Sequence, residues 1–483
     1  MHRQGSPARA AALAFVIVAA ASGCASAVDR ASDSTLERTY VDPQKTGVLR
    51  PGPGERPIDR TELALRSAPT RTLAVFAQLT DAHALDEESP ARVEWLDRLG
   101  RPFTSAFRPQ EALTAQVLRA AVVAINQLRP LAVVETGDLI DNAQLNELGQ
   151  ALAVLNGGRV DPDSGAGGYQ GVQSASDADP FYYRPTVDPP QHPGLLADAE
   201  RPFRSPGLRA PWYPVLGNHD VLVQGNAVPS VETNRIATAS RKLVRLGGRA
   251  LAVVRSRNLR AVRALLEQGI PGTTVRVAPD PQRRELSAAE VVARLRRDSG
   301  APEKGGALLD YSFDLGSEVR GLVLDTVDRA GGAHGVVRRA QIEWLRRQLA
   351  RAGDRWILVF SHAPLTTAAG GSAALALLDR NPHVVAAISG DTHRNSIEPR
   401  RSRAGGYWLI STSSLIDYPQ QVRAFRLATT TPGHVVLQTW MLNTDESSDL
   451  AATARALAYL DFQGGRPQGF AGTRADRNTN LFR

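Results

Sequence analysis

Cysteine is nearly missing from this chain: Cys24 is the only one in 483 residues. A lone thiol excludes an intramolecular disulfide and any thiolate-bound metal cluster. Long apolar runs are missing as well. The run near the start, Ala10 to Ala21, is too short to span a bilayer, and no other stretch is long and apolar enough for a membrane helix. No internal repeat is visible. Aromatic residues make up 6% of the chain, and none falls between Arg235 and Lys304. That stretch holds sixteen Lys or Arg against six Asp or Glu, a net +10 in a chain whose total is +8. Nucleic-acid grooves interleave cations with aromatic stacking platforms, so no nucleic-acid partner is expected. A solvated helical face is the plain reading of these charges. Steering of anionic substrates, or contact with anionic headgroups, is the sharper one.

The first segment carries export signals. Arg3 and Arg9 give a positive n-region, and Ala10 to Ala21 an apolar h-region of signal-peptide length. Ala21-Ser22-Gly23-Cys24 resembles a bacterial lipobox, with Ala where Leu is commoner. That implies acylation of Cys24 after removal of residues 1–23, and attachment to the cell membrane. The alternative is an ordinary cut near Ala25-Ser26-Ala27 and a secreted product. Residues 24–70 are polar and Pro-rich, with Pro-Gly-Pro-Gly at 51–54, and are expected to be a tether. Hydrophobic residues at 42% supply a large core. We expect one domain over 71–445 with insertions at 143–210 and 222–306, then a C-terminal extension over 446–483.

Five short motifs follow apolar runs of strand type. Leu73 to Leu79 leads to Asp81-Ala82-His83. Leu131 to Val134 leads to Gly137-Asp138-Leu139-Ile140-Asp141, and Trp212 to Leu216 to Gly217-Asn218-His219-Asp220. Trp356 to Phe360 delivers Ser361-His362, and Val384 to Ile388 delivers Gly390-Asp391-Thr392-His393. Between them, a helical apolar period runs from Glu111 to Leu128 until Pro130 stops it, and Ser287-Ala-Ala-Glu290 reads as a capping box. Asp-x-His places two side chains on one side of an extended segment. A Gly before a ligand permits a sharp turn, and strand carboxyl ends are where α/β sheets form their crevice. Together the motifs supply three Asp, three His and one Asn, enough for two metal ions, with one His to spare. Imidazole and oxygen donors without thiolate suit Mn, Fe, Zn or Co. His192, His334, His383 and His434 fall outside the motifs and are expected to be structural or exposed. Tyr169, Tyr182 and Tyr183 are expected to pack their own loop.

The ordered set resembles the calcineurin-like metallophosphoesterase superfamily over about residues 71–440. Gly390-Asp-Thr-His-Arg-Asn395 and Ser413-Ser-Leu-Ile-Asp-Tyr-Pro419 are closest to exported members of actinobacterial type. The resemblance implies a four-layer α/β/β/α sandwich, two mixed sheets flanked by helices. It implies a first divalent ion on Asp81, His83, Asp138 and His393, with Asp138 bridging. A second ion would sit on Asp138, Asn218 and His362. His219 would assist the leaving oxygen, with Asp141 and Asp220 near it. The family pattern ends Gly-His-x-His, and here the first His is Asp391, which could bind the second ion as a harder ligand. The implied activity is hydrolysis of a phosphoester, with a diester favoured, outside the cytoplasmic membrane. Two other readings are a degenerate member that binds metal or a phosphorylated ligand without turnover, and an envelope interaction protein.

Overall fold

The computed structural model describes residues 33–100, 106–176, 179–255, 270–430, 433–444, 448–461 and 469–483. The leader and Cys24 lie outside the described residues. Among the described residues thirteen strands build two large sheets. In chain order these are Ile58–Arg60 (β1), Arg71–Leu79 (β2), Ala132–Glu135 (β3), Trp212–Pro214 (β4), Tyr311–Asp314 (β5), Val319–Leu324 (β6) and Trp356–Ser361 (β7). Then come Val384–Ser389 (β8), Ser396–Arg400 (β9), Tyr407–Ser411 (β10), Gln421–Thr429 (β11), Val435–Asn443 (β12) and Thr479–Phe482 (β13). One sheet has the order β1-β13-β12-β11-β2-β3-β4 and the other β5-β6-β7-β8-β10-β9. Both are mixed: β2, β3 and β4 are parallel, as are β6, β7, β8 and β10, while the remaining pairs are antiparallel except β1 with β13.

The alternation along the central strands sets the layers. On β7, Leu358 and Phe360 point into the core between the sheets, while Ile357 and Val359 point the other way. There they meet Leu345 and Leu349 of helix Arg339–Ala352 and Leu375 and Leu378 of helix Gly371–Leu378. Both faces are covered, which is why the strand reads as one unbroken apolar run. Helices Thr114–Leu128, Leu145–Asn156 and Asp449–Tyr459 pack together on the far side of the seven-stranded sheet. The expected four layers, helices, sheet, sheet, helices, are the layers observed. Aromatic rings join the two sheets. Phe76 of β2 stacks on Phe425 of β11 at 4.6 Å and meets Phe360 of β7 edge-on at 6.1 Å. Tyr213 of β4 stacks on Phe313 of β5 at 3.9 Å.

Several boundaries differ from expectation. Residues 33–70 are not a tether. Thr35 is buried and donates to Met441 O (2.9 Å), Arg38–Val41 and Arg50–Pro53 form a hairpin, and β1 extends the large sheet. Pro51 and Pro53 lie on an edge strand, where a missing N–H is tolerated. The C-terminal extension likewise belongs to the domain, because β13 pairs with β12. Helix Leu145–Asn156 lies within the first expected insertion, yet Leu148, Ala151 and Leu155 are core. The capping box at Ser287 and Glu290 is present, and its helix Ala288–Asp298 buries Val291, Val292 and Leu295 in the core.

The basic stretch is only partly a solvated face. Lys242 is fully buried and pairs with Glu94 (2.6 Å), Arg283 pairs with Asp86 (2.8 Å), and Arg296 donates to the carbonyls of Pro302 and Leu308. The first two cations offset part of the charge of the acidic segment that follows the first motif. No helix among the described residues is long and apolar enough to cross a membrane.

Phe76 has no exposed surface and touches both sheets. Phe76→Ala should lower stability by about 3–5 kcal/mol. The check is urea denaturation, and an unchanged midpoint would show that the sheets are held together elsewhere.

Candidate metal centre

Each motif sits just past the carboxyl end of a parallel strand. Asp81 and His83 follow β2, Asp138 follows β3, and Asn218 and His219 follow β4. From the other sheet, His362 follows β7, and Asp391 and His393 follow β8. Buried Gln78 clasps the two sheets beneath them. Its Nε2 donates to Thr136 Oγ1 (2.9 Å) and Ser389 O (3.0 Å), and its Oε1 accepts from Thr412 Oγ1 (2.7 Å).

The backbone at these residues is unusual. Asp81 (φ 50°), His83 (44°), Asp138 (54°), Asp391 (65°) and His393 (55°) all lie in the left-handed region. Each such residue costs roughly 1–2 kcal/mol in L-chirality sterics, so five together mark a site rather than a run of ordinary turns. The expected extended Asp-x-His is therefore a coil, and its two side chains converge because both residues are left-handed. Two of the glycines serve close approach. A Cβ on Gly217 would lie 2.1 Å from Asp138 N, and one on Gly390 would lie 2.1 Å from Thr80 Oγ1.

The donor atoms fall into two groups that share Asp138. In the first, His83 Nε2 is 3.3 Å from His393 Nε2 and 3.7 Å from Asp138 Oδ2, and His393 Nε2 is 3.5 Å from Asp81 Oδ1. In the second, His362 Nε2 is 3.2 Å from Asp138 Oδ2, 3.1 Å from Asn218 Oδ1 and 3.6 Å from Asp391 Oδ1. Asn218 is oriented by its Nδ2, which donates to Gly225 O (3.0 Å). Asp391 thus faces the second group at its open edge, while its backbone N–H donates to the Asp81 carboxylate (3.2 Å).

An outer ring of acceptors fixes the imidazoles. The Nδ1 atoms lie against acceptors: His83 on Asp141 Oδ1 (2.9 Å), His393 on Asp417 Oδ2 (2.5 Å), His362 on Thr136 O (2.8 Å). A carbonyl or carboxylate can only accept, so Nδ1 carries the proton and Nε2 turns a lone pair inward. Two inward lone pairs at 3.3 Å repel unless a cation or a proton lies between them. The donor set therefore fits divalent ions bound by nitrogen and oxygen.

Charge balance agrees. Burial opposes ionised Asp138, yet the imidazoles of His362 and His219 hold its carboxyl well below the usual range. Burial would lower His393, but Asp417 and Asp81 push it up to about 9. His362 is raised well above normal by Asp138, against burial. Burial dominates at His83 and keeps it neutral. The cation-free centre thus takes up protons where positive charge is wanted.

His219 lies beside both groups and is partly open to solvent. Its Nδ1 is 2.9 Å from Asp141 O and 3.2 Å from Asp141 Oδ1, which leaves Nε2 free. Burial opposes its charge, but Asp138 and Asp141 push it up to about 9. Asp141 is held in turn by Arg92 Nη1 (2.9 Å) and Gln224 Nε2 (2.5 Å). Asp220 does not touch the imidazole of His219. Its carboxylate accepts the N–H groups of Gly217 (2.7 Å), Asp138 (3.2 Å) and Ile140 (3.2 Å), and so braces the loop. Sequence reading passed over Asp417, Arg92 and Gln224. Only Asp417 had a signal, as part of the Ser413–Pro419 motif. Tyr183 donates to Pro190 O and packs its own loop as expected, while Tyr182 donates to Val244 O and fastens that loop to the strand Arg241–Leu246.

No family model matches the sequence, and no curated protein does. Solved structures do match. A dimetal phosphatase of Danio rerio is 14% identical over 77% of this chain and 99% of its own, with a TM-score of 0.39. The sulfate thiohydrolase SoxB of Thermus thermophilus is 12% identical over 82% and 61%, at 0.31. The NAD nucleotidase NadN of Haemophilus influenzae is 9% identical over 77% and 51%, at 0.28.

Asp417→Asn keeps an acceptor beside buried Arg108, which donates to Asp417 (2.7 Å), but weakens the hold on His393 Nδ1. It should loosen one of two bound divalent ions by about 10–100-fold. Isothermal titration of chelator-treated protein with Zn²⁺ reads this, and wild-type affinities at both sites would contradict it.

Proposed function

We propose that this chain hydrolyses a phosphoester, preferring diesters, with two divalent cations. Asp81, His83, Asp138 and His393 would hold one, and Asp138, Asn218, His362 and Asp391 the other. The observation that carries this is the inward convergence of three imidazole Nε2 atoms on Asp81 and Asp138, with every Nδ1 anchored from outside. When bound, the cations supply charge stabilisation at phosphorus and a water nucleophile at neutral pH. The chain's own residues do the rest. Asp138, reached from both groups, sets the spacing of the two sites. Asn218 adds a neutral oxygen, so that the second site gains a ligand without more charge. His219, with Nδ1 tied to Asp141, presents Nε2–H to a leaving oxygen and returns with the lone pair. With positive charge beside Asp138, His219 would hold that proton less tightly than without it, which would make it a better acid.

Substrate charge follows from Asp391. A carboxylate at this edge, in place of a neutral imidazole, leaves the centre less positive. A monoester carries nearly two negative charges near neutral pH and a diester one, so the dianion gains less here. The leader and the Ala21–Cys24 box support work at the outer face of the cytoplasmic membrane, on a lipid anchor at Cys24.

In a chromogenic phosphodiester assay, His219→Ala should retain both metals and lose about 10²–10⁴-fold in turnover. Wild-type turnover in the metal-replete variant would assign the proton to another group. Diester should exceed monoester in kcat/KM for the wild type. For the anchor, Cys24→Ala should move the protein from the membrane fraction to the medium, and equal partitioning of both proteins would remove the anchor.

A further inference from the structure

A second set of carboxylates lies away from the centre just described. Glu88, Asp163 and Glu200 bring one oxygen each within 4.8 Å of one another. Glu88 is 3% exposed and Glu200 8%. They come from three places: Glu88 from the segment after the first motif, Asp163 from the start of the 161–202 loop, and Glu200 from the end of helix Leu195–Ala199. Consecutive backbone amides of one turn meet them, Gly168 at Asp163, Tyr169 at Glu200 and Gln170 at Glu88. The turn thus satisfies part of each carboxylate. Apart from the hydrogen bond that Glu88 and Glu200 share when one of them is protonated, no donor of the described residues reaches Glu88 Oε2, Asp163 Oδ1 or Glu200 Oε1 within hydrogen-bonding geometry. Glu200 is therefore a buried group with an unpartnered oxygen aimed into the cluster.

The surrounding charge does not balance these oxygens. Asp86 and Asp161 add to the negative charge. Arg283 is the nearby cation, but its Nε is committed to Asp86 (2.8 Å), its Nη1 to Ala278 O (2.7 Å) and its Nη2 to Ser164 Oγ (2.6 Å). It reaches Glu88 only at 3.5 Å. Burial, then the charges of Asp86 and Glu200, push Glu88 up to about 8 against the Gln170 amide and Arg283. Burial, then Asp163, push Glu200 up to about 7, against a hydrogen bond shared with Glu88 and the Tyr169 amide. Carboxyl groups that hold protons at neutral pH can exchange them for a metal.

We propose that Glu88, Asp163 and Glu200 form a third cation site, selective for a hard, oxygen-binding divalent ion of the Ca²⁺ class. All three donors are carboxylate oxygens, with no nitrogen or sulfur, which favours such an ion over zinc. Asp163 and Ser164 also line a surface cleft of about 400 Å³, which gives an ion an entry path. The ion staples the 161–202 loop to the segment beginning at Asp86. That segment abuts the centre, since Glu147 accepts the N–H of Asp86 (3.1 Å) with one oxygen and of Asn142 (2.7 Å) with the other. The inference stands independently of catalysis.

The test is Ca²⁺ binding to the full chain carrying two equivalents of Zn²⁺, by equilibrium dialysis and by thermal unfolding. Wild type should bind one Ca²⁺ and gain in Tm. Glu200→Gln should bind it at least about tenfold more weakly, since ligand charge tunes affinity over decades, and should keep its Zn²⁺ content. His362→Ala, altered in the other centre, should still bind Ca²⁺. If Glu200→Gln does not fold, Asp163→Asn, on a partly exposed residue, is read in the same way. Absence of Ca²⁺ binding by the wild type overturns the proposal. So does Ca²⁺ binding that is lost in His362→Ala but kept in the cluster variants: the carboxyls would then simply share protons.

Discussion

Which nitrogen of each imidazole keeps its proton decides everything at the centre of this molecule. Asp141, Asp417 and the Thr136 carbonyl can only accept, so they hold the protons of His83, His393 and His362 on Nδ1. The three Nε2 atoms then face Asp81, Asp138 and one another across a space a few ångströms wide, where they take a cation or, without one, the protons that His362 and His393 hold. The fold supplies those acceptors from both sheets. Thr136 follows β3 of one sheet yet orients His362 of the other, while Asp417 and His393 both follow strands of the six-stranded sheet. The sandwich must form before the protons can be placed, and the outward-held protons are what make the interior a site for cations.

Such an arrangement opposes stability at several points. Five left-handed residues crowd one edge, and Asp138, Asp141 and Asp220 are all buried. The neighbouring structure offsets this with charge and with clasps. Arg92 pairs with Asp141 and Glu111, Arg108 with Asp417, and Gln78 links β2 to β8. Buried Arg423 ties Thr412, Asn395 and the carbonyl of Asp476 together, so the final strand is fastened to the loop that carries His393. The acidic segment after the first motif draws Lys242 and Arg283 out of the basic stretch for the same reason.

The central strands were legible in the sequence as apolar runs, while the four layers and the seven candidate ligands were expected from the resemblance that the ordered motifs carry. One polar residue after an apolar run is usually only a turn, but five such motifs in order have few other uses, and strand carboxyl ends gather in α/β sheets. What was not legible depends on long-range partners. Arg92 and Gln224 carry no local pattern, and only the folded chain brings them to Asp141. The resemblance placed Asp220 near the imidazole of His219, but its carboxylate turned to backbone amides instead. The Pro-rich start looked like a tether because prolines in edge strands and in linkers have the same composition. The basic stretch looked like a surface because charge balance with a segment 148 to 197 residues away cannot be seen in a window.

Anomalous diffraction from crystals grown with Mn²⁺ tests the central claim most directly. The account predicts two peaks. One lies among Asp81, His83, Asp138 and His393, and the other among Asp138, Asn218 and His362 with Asp391 at its edge, each bound through imidazole Nε2. No peak at these residues, or imidazoles turned so that Nδ1 faces inward, would contradict it.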